Sequence, residues 1–140
     1  MQVLFKENYG VLEYDETVPC VTARFLAFMD SEKFKSFLTK GLDVMIQKKT
    51  KNKPILWLAD TRKHLVQPES DTRWVAEVWN DRALKNGIHH VAFVMPENVF
   101  GESSVKNYAK NTQKTDKKEM QIGMFNTEKE AREWFKVISG

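Results

Sequence analysis

The chain has a single cysteine, Cys20, in 140 residues. That excludes an intramolecular disulfide, and a reducing compartment fits best. Glycine is sparse and scattered: Gly10, Gly41, Gly87, Gly101, Gly123 and Gly140 have neither Walker nor dinucleotide-binding spacing, so no phosphate-cradling loop is expected. No apolar run approaches the roughly 20 residues that span a bilayer. Met1-Gln2-Val3-Leu4-Phe5-Lys6-Glu7 lacks both a basic n-region and a sustained apolar h-region, so it does not read as a signal peptide. Charge of one sign is also missing. The net charge is +3, with residues 1–70 holding 11 Lys/Arg against 9 Asp/Glu and residues 71–140 holding 11 against 10. Neither half is a nucleic-acid arm, and no nucleic-acid partner is expected. What is there is 41% hydrophobic and 29% charged, an ordinary globular composition of one-domain length. The expectation is one cytoplasmic domain over residues 1–140, without repeat or linker.

In order, Val3–Phe5 and Val11–Tyr14 flank Asn8-Tyr9-Gly10, the turn chemistry of a β-hairpin. Alternation over Val21–Phe28 predicts a third, half-covered antiparallel strand. Asp30-Ser31-Glu32 offers an N-cap and a first-turn acid, and Phe34, Phe37, Leu38, Leu42 and Met45 follow at helical spacing. Lys48 to Lys53 reads as a solvated basic turn, with an anionic membrane or nucleic-acid contact as the sharper alternative.

Pro68 to Asp71 starts a helix marked by Trp74, Val75, Val78 and Trp79 and ended by Gly87 as an αL residue. Val91 to Val94 is a fully apolar strand. Val105, Tyr108, Ala109 and Thr112 trace a more polar helix, and Lys110–Lys118 is expected to be mobile. Met120, Ile122 and Met124 alternate through a last strand. Thr127 and Glu130 form a capping box ahead of a helix buried through Ala131, Trp134, Phe135 and Ile138. The order β-β-β-α-β-α-β-α-β-α predicts an α/β fold with one mixed sheet, an N-terminal antiparallel hairpin and right-handed βαβ crossovers.

The central strand is Ile55-Leu56-Trp57-Leu58-Ala59, apolar on both faces and closed by Asp60-Thr61-Arg62. In open α/β sheets the carboxyl ends of such strands meet ligands and partners. The candidate site is therefore Asp60, Thr61, Arg62, Lys63 and His64, with Trp74 or Trp79 rimming a groove. Trp74 and Trp79 are five apart, roughly 140° of net rotation on an α-helix, so one belongs to the core and the other does not. Asp60 has two readings, a structural acid paired with Arg62 or Lys63, and part of a polar pocket or partner surface. His64, His89, His90 and Cys20 do not make a metal spacing. Cys20 reads as a buried thiol, and Met45, Met120 and Met124 as core filling.

With Trp57 to Arg62 after the first long helix, Trp74 and Trp79, Val91 to Pro96, and Phe125 to Trp134, most of the chain resembles the SpoIIAA-like branch of the STAS fold. That fold is itself similar to the lipid-carrying CRAL-TRIO fold. Many members are short bacterial proteins without an assigned activity. The resemblance implies a non-enzymatic regulatory or protein-interaction module without cofactor or metal. It also implies, as an alternative, a carrier of a small apolar or lipid-like ligand between helices and sheet. STAS domains that antagonise anti-sigma factors carry a phosphorylatable Ser or Thr after a central strand, a place matched by Thr61. Arg62-Lys63 departs from the small residues usual there, and a long segment separates Thr61 from the next helix. An enzyme ranks third, since no nucleophile–base pair can be assembled. A homodimer is compatible with the sequence, which says nothing further of partners.

Overall fold

The computed structural model describes residues 1–64, 67–114 and 119–139, with the side chains of all of these except Val99 and Phe100. Six strands form one sheet in sequence order. β1 (Gln2–Glu7), β2 (Gly10–Asp15) and β3 (Cys20–Phe25) run antiparallel, and β3, β4 (Leu56–Asp60), β5 (His90–Val94) and β6 (Gln121–Phe125) run parallel. This is the mixed α/β sheet, hairpin first, that the element order predicts. β1 and β6 are its edges.

The helices divide unequally between the two faces. α1 (Ser31–Lys48), the α2 (Glu69–Trp74) to α3 (Asn80–Lys85) segment and α4 (Val99–Gln113) cover one face; α5 (Glu128–Ser139) covers the other. Strand alternation explains the division. Val21, Ala23, Phe25, Trp57, Ala59 and Val91 face the three-helix side, while Cys20, Leu56, Leu58, Ala92 and Val94 pack under Ala131 and Phe135 of α5. β4 is apolar from Leu56 to Ala59 because it is covered on both sides.

α1 forms as its pattern predicts, with Asp30 Oδ1 accepting from Lys33 N at 2.8 Å and Phe34, Phe37, Leu38, Leu42 and Met45 buried. Gly41 lets this helix sit close to the sheet: a Cβ there would lie 2.5 Å from the Trp57 ring. Gly87 takes φ +77°, the αL residue expected after α3. No described helix is long and apolar enough to cross a membrane.

Several local expectations are corrected. β3 ends at Phe25, and Leu26–Phe28 are exposed at the end of the sheet rather than in it. β3 is also an interior strand, covered on both faces, because it pairs with β4 as well as β2. The second helical segment is interrupted by a π-helical turn at Val75–Trp79. Its i→i+5 bonding shifts the buried stripe to Ala76, Trp79 and Ala83 and leaves Val78 52% exposed. Met124 lies on the edge strand and is exposed, not core filling. In α5, Ala131 and Phe135 are buried but Ile138 is exposed and Trp134 only half-buried, its ring tilted against Phe125. The Thr127 hydroxyl caps Glu130 N at 3.1 Å as predicted, and the described return contact runs from that hydroxyl to the Glu130 carboxylate. Lys110–Gln113 belong to α4; the rest of the segment expected to be mobile includes 115–118, which lie outside the described residues.

Candidate functional site

The predicted residues do gather at the carboxyl end of β4, but the sheet separates them. Successive strand residues point to opposite faces, so Asp60 follows Leu56 and Leu58 toward the α5 side, and Thr61 follows Trp57 and Ala59 toward the three-helix side.

On the α5 side Asp60 is the centre of an ion cluster. Arg62 Nε donates to Asp60 Oδ1 and Arg62 Nη2 to Oδ2, both at 2.9 Å, a bidentate pair. Arg24, opposite Asp60 in the parallel β3–β4 register, donates to Oδ2 at 2.9 Å, and its Nε donates to Glu13 Oε1 at 2.6 Å. Glu128, at the first turn of α5, lies 2.7 Å from Arg24. Burial works to raise the Asp60 pKa, but the bonds from Arg62 and Arg24 outweigh it and hold the carboxyl below its ordinary value. Burial likewise opposes the Arg24 charge, and its Glu13 and Glu128 partners outweigh that too, so its pKa is raised. The structural reading of Asp60 as a paired acid holds, with Arg62 the expected partner and Arg24 a second one that was not expected. Lys63 itself is exposed.

On the other side the loop is fastened to the fold. Thr61 Oγ1 donates to Val94 O at 2.6 Å, and Thr61 N bonds the same carbonyl at 3.1 Å. His64 N closes a turn on Thr61 O at 2.9 Å. Asn98, the N-cap of α4, donates from Nδ2 to His64 O at 2.9 Å while its Oδ1 accepts from Gly101 N. Thr61 is 2% exposed, so its hydroxyl is committed to the backbone and withheld from solvent.

His64 was expected at a loop position. It is in a loop, but its ring is inserted between helices and sheet, 4.9 Å from the Phe25 ring and stacked at 6.4 Å on Phe34. Burial lowers its pKa to about 4, so the imidazole is neutral at physiological pH. It borders a cavity of about 60 Å³ walled chiefly by Phe25, Phe34, Trp57, Phe93, Val105 and Tyr108. Trp79 is the buried member of the tryptophan pair, donating Nε1–H to Leu38 O at 3.0 Å. Trp74 is half-buried beneath Lys35, whose Nζ is 5.7 Å from the ring, and it is not part of the cavity wall.

Participants missed in the sequence include Arg24, Glu128, Gln67 and Ser104. Gln67 is tied to α4 through Ser104, which accepts from Gln67 N at 2.9 Å, and its Nε2 donates to Asp71 Oδ2 at 2.6 Å. Arg24 was visible in principle as a lone cation in an apolar strand, whereas the other three depend on tertiary approach. No group of three or more His, Cys, Asp or Glu among the described residues is placed to hold a metal ion. Cys20 is fully buried and its thiol pKa is pushed up to about 11 by that burial. No family model, curated protein or solved structure matches the chain.

Proposed function

We propose that this chain is a non-enzymatic regulatory module of SpoIIAA-like, STAS type that docks a partner protein on the carboxyl-end rim of its sheet. One contrast carries the reading. The groups of the candidate loop that could do chemistry are used up by the fold, while the side chains left exposed on the rim suit protein contact. Asp60 is ionised and doubly paired, a poor general acid, and the Thr61 hydroxyl is bonded to Val94 O. Phe28, by contrast, is 61% exposed after β3, with Leu26 beside it, and Arg62 and Lys63 are exposed after β4. An exposed aromatic with cations at the same sheet end fits an apolar partner segment flanked by carboxylates.

Two observations support this over the lipid-carrier alternative and over a kinase-regulated switch. The space between helices and sheet is about 60 Å³, against the roughly 300–1,000 Å³ usual for sites that enclose drug-sized ligands. The Thr61 side chain is closed to a kinase in this conformation. The sequential parallel order of β3 to β6 supports the SpoIIAA-like reading of the fold.

The test compares quantitative affinity purification from native cells using the wild type, a rim variant (Phe28→Ser, Arg62→Ala, Lys63→Ala) and a control variant, Val137→Ser on α5. A protein enriched by wild type and control but lost with the folded rim variant is the expected outcome. Equal recovery by all three sinks the rim assignment. Reproducible turnover in phosphatase, esterase or protease screens, abolished by Asp60→Asn with the fold intact, sinks the non-enzymatic reading.

A further inference from the structure

The two edges of the sheet are not alike. β1 carries a register shift between Val3 and Phe5 and the charges of Lys6 and Glu7, devices that keep an edge strand from pairing with another chain. β6, Gln121-Ile122-Gly123-Met124-Phe125, has no charge, no proline and no register shift against β5. Its inner groups are taken: Gln121 N donates to His89 O, and Phe125 O accepts from Met95 N, both at 2.8 Å. Backbone groups alternate in direction along a strand. Those of Ile122 and Met124 therefore point away from β5, and among the described residues no strand pairs with them. The flank is apolar as well. Met124 and Ile138 are each 37% exposed. Trp134, one turn before Ile138 on α5, leans on Phe125 with ring centroids 5.4 Å apart.

We propose that β6 is a dimer interface, pairing antiparallel with β6 of a second copy of this chain about a two-fold axis at Gly123. The register is self-complementary. With the two copies of Gly123 opposite each other, Ile122 of each copy lies opposite the partner's Met124. Both residues face outward, so each such pair exchanges both of its N–H···O=C bonds. The glycines form the non-hydrogen-bonded pair at the axis, where strands come closest, and neither has a side chain to obstruct the other. On one face of the joined sheet Ile122 packs across the strands on the partner's Met124. On the other, Phe125 and Trp134 cover Gly123, where an added Cβ would come within 3.2 Å of the indole, so the two indoles meet over the axis. Interface energy concentrates on aromatic centres of this kind. β6 carries no charge, so it meets its own copy without like-charge repulsion. The pairing also closes, because it occupies β6 of both copies and leaves only the protected β1 edges outside. This edge shares no residue with the rim of the proposed docking module, so either assignment can fail alone.

Sedimentation of the full chain should show a monomer–dimer equilibrium. Met124→Lys should raise its dissociation constant at least tenfold by setting a cation against the partner's Ile122. Met124→Pro should abolish the dimer. It removes an N–H that bonds nothing within the chain, a place where edge strands accept proline, and an unchanged circular dichroism spectrum checks that the fold is kept. Val78→Ser, at a side chain 52% exposed on the helical segment, should leave the equilibrium as it is. Amide exchange followed by NMR reads the register: the Ile122 and Met124 N–H groups should become protected as concentration rises. The proposal is overturned by a monomer at every concentration up to the solubility limit, by open-ended polymers in place of the dimer, or by a dimer that persists in both Met124 variants. It is equally overturned by a dimer in which the Ile122 and Met124 amides exchange as fast as in dilute protein.

Discussion

A neutral histidine enclosed by phenylalanines makes stability depend on pH. In the unfolded chain His64 titrates near 6.5, and burial lowers this to about 4 in the fold. Between those values the unfolded state binds more protons, so stability is intact above pH 6.5 and is lost as pH falls toward 4. From pH 7 to pH 5 the expected loss is about 2 kcal/mol, measured as a drop in the urea midpoint. His64→Leu should flatten this part of the profile, and an unchanged slope would show that the ring reaches water. The two arginines on Asp60 should behave differently from each other. Arg62→Ala leaves Arg24 on the carboxylate and removes a side chain 45% exposed, so its cost should stay below about 1 kcal/mol. Arg24→Ala leaves Asp60 with Arg62 alone and takes the arginine away from both Glu13 and Glu128. Its cost should reach about 2–3 kcal/mol, less than for a fully buried pair because 20% of the Arg24 side chain remains accessible. Equal destabilisation by the two variants would contradict the cluster geometry.

Among the elements, α5 covers its face of the sheet mainly through Phe135, which is 1% exposed and edge-on to His90 at 5.3 Å. Phe135→Ala should cost about 3–5 kcal/mol, with Trp134→Ala costing less because that ring is half-buried. The reverse order in denaturation midpoints would mean that α5 docks through its other edge. α1 offers a sharper case. Alanine is the better helix former by about 1 kcal/mol, yet Gly41→Ala should destabilise, since its Cβ would fall 2.5 Å from the Trp57 ring. Such elements were legible where local pattern and burial agree. β4 reads as apolar on both faces because both are covered, and α1 reads as a stripe because one side is. The π-helical turn was illegible, since a periodicity of 3.6 cannot foresee i→i+5 bonding, and Val78, one of the apolar residues that mark the helix in the sequence, is exposed. The site was half legible. Its place at the end of β4 follows from topology, but Asp60 and Thr61 are adjacent and so face opposite ways, a consequence of strand alternation that residue chemistry alone obscured. Gln67 and Ser104, 37 residues apart, meet only through the packing of α4.

For the whole molecule, the two faces differ in what closes them. The face holding Phe37, Trp57 and Trp79 is covered by helices interspersed with the strands, while Cys20, Leu56, Leu58, Ala92 and Val94 wait for α5 alone. A chain cut after Phe125 should keep its strands but bind a hydrophobic dye and associate, as exposed apolar surface does. A monomeric, dye-silent fragment would show that α5 is dispensable. The strand order also bears on synthesis. Each strand pairs with the one made immediately before it, so the sheet can be laid down edge to edge as the chain leaves the ribosome, without any strand inserting between two already paired. That convenience has a cost. The second face stays bare until residues 128–139 emerge, and a ribosome stalled before them displays an open apolar sheet, a ready client for a nascent-chain chaperone.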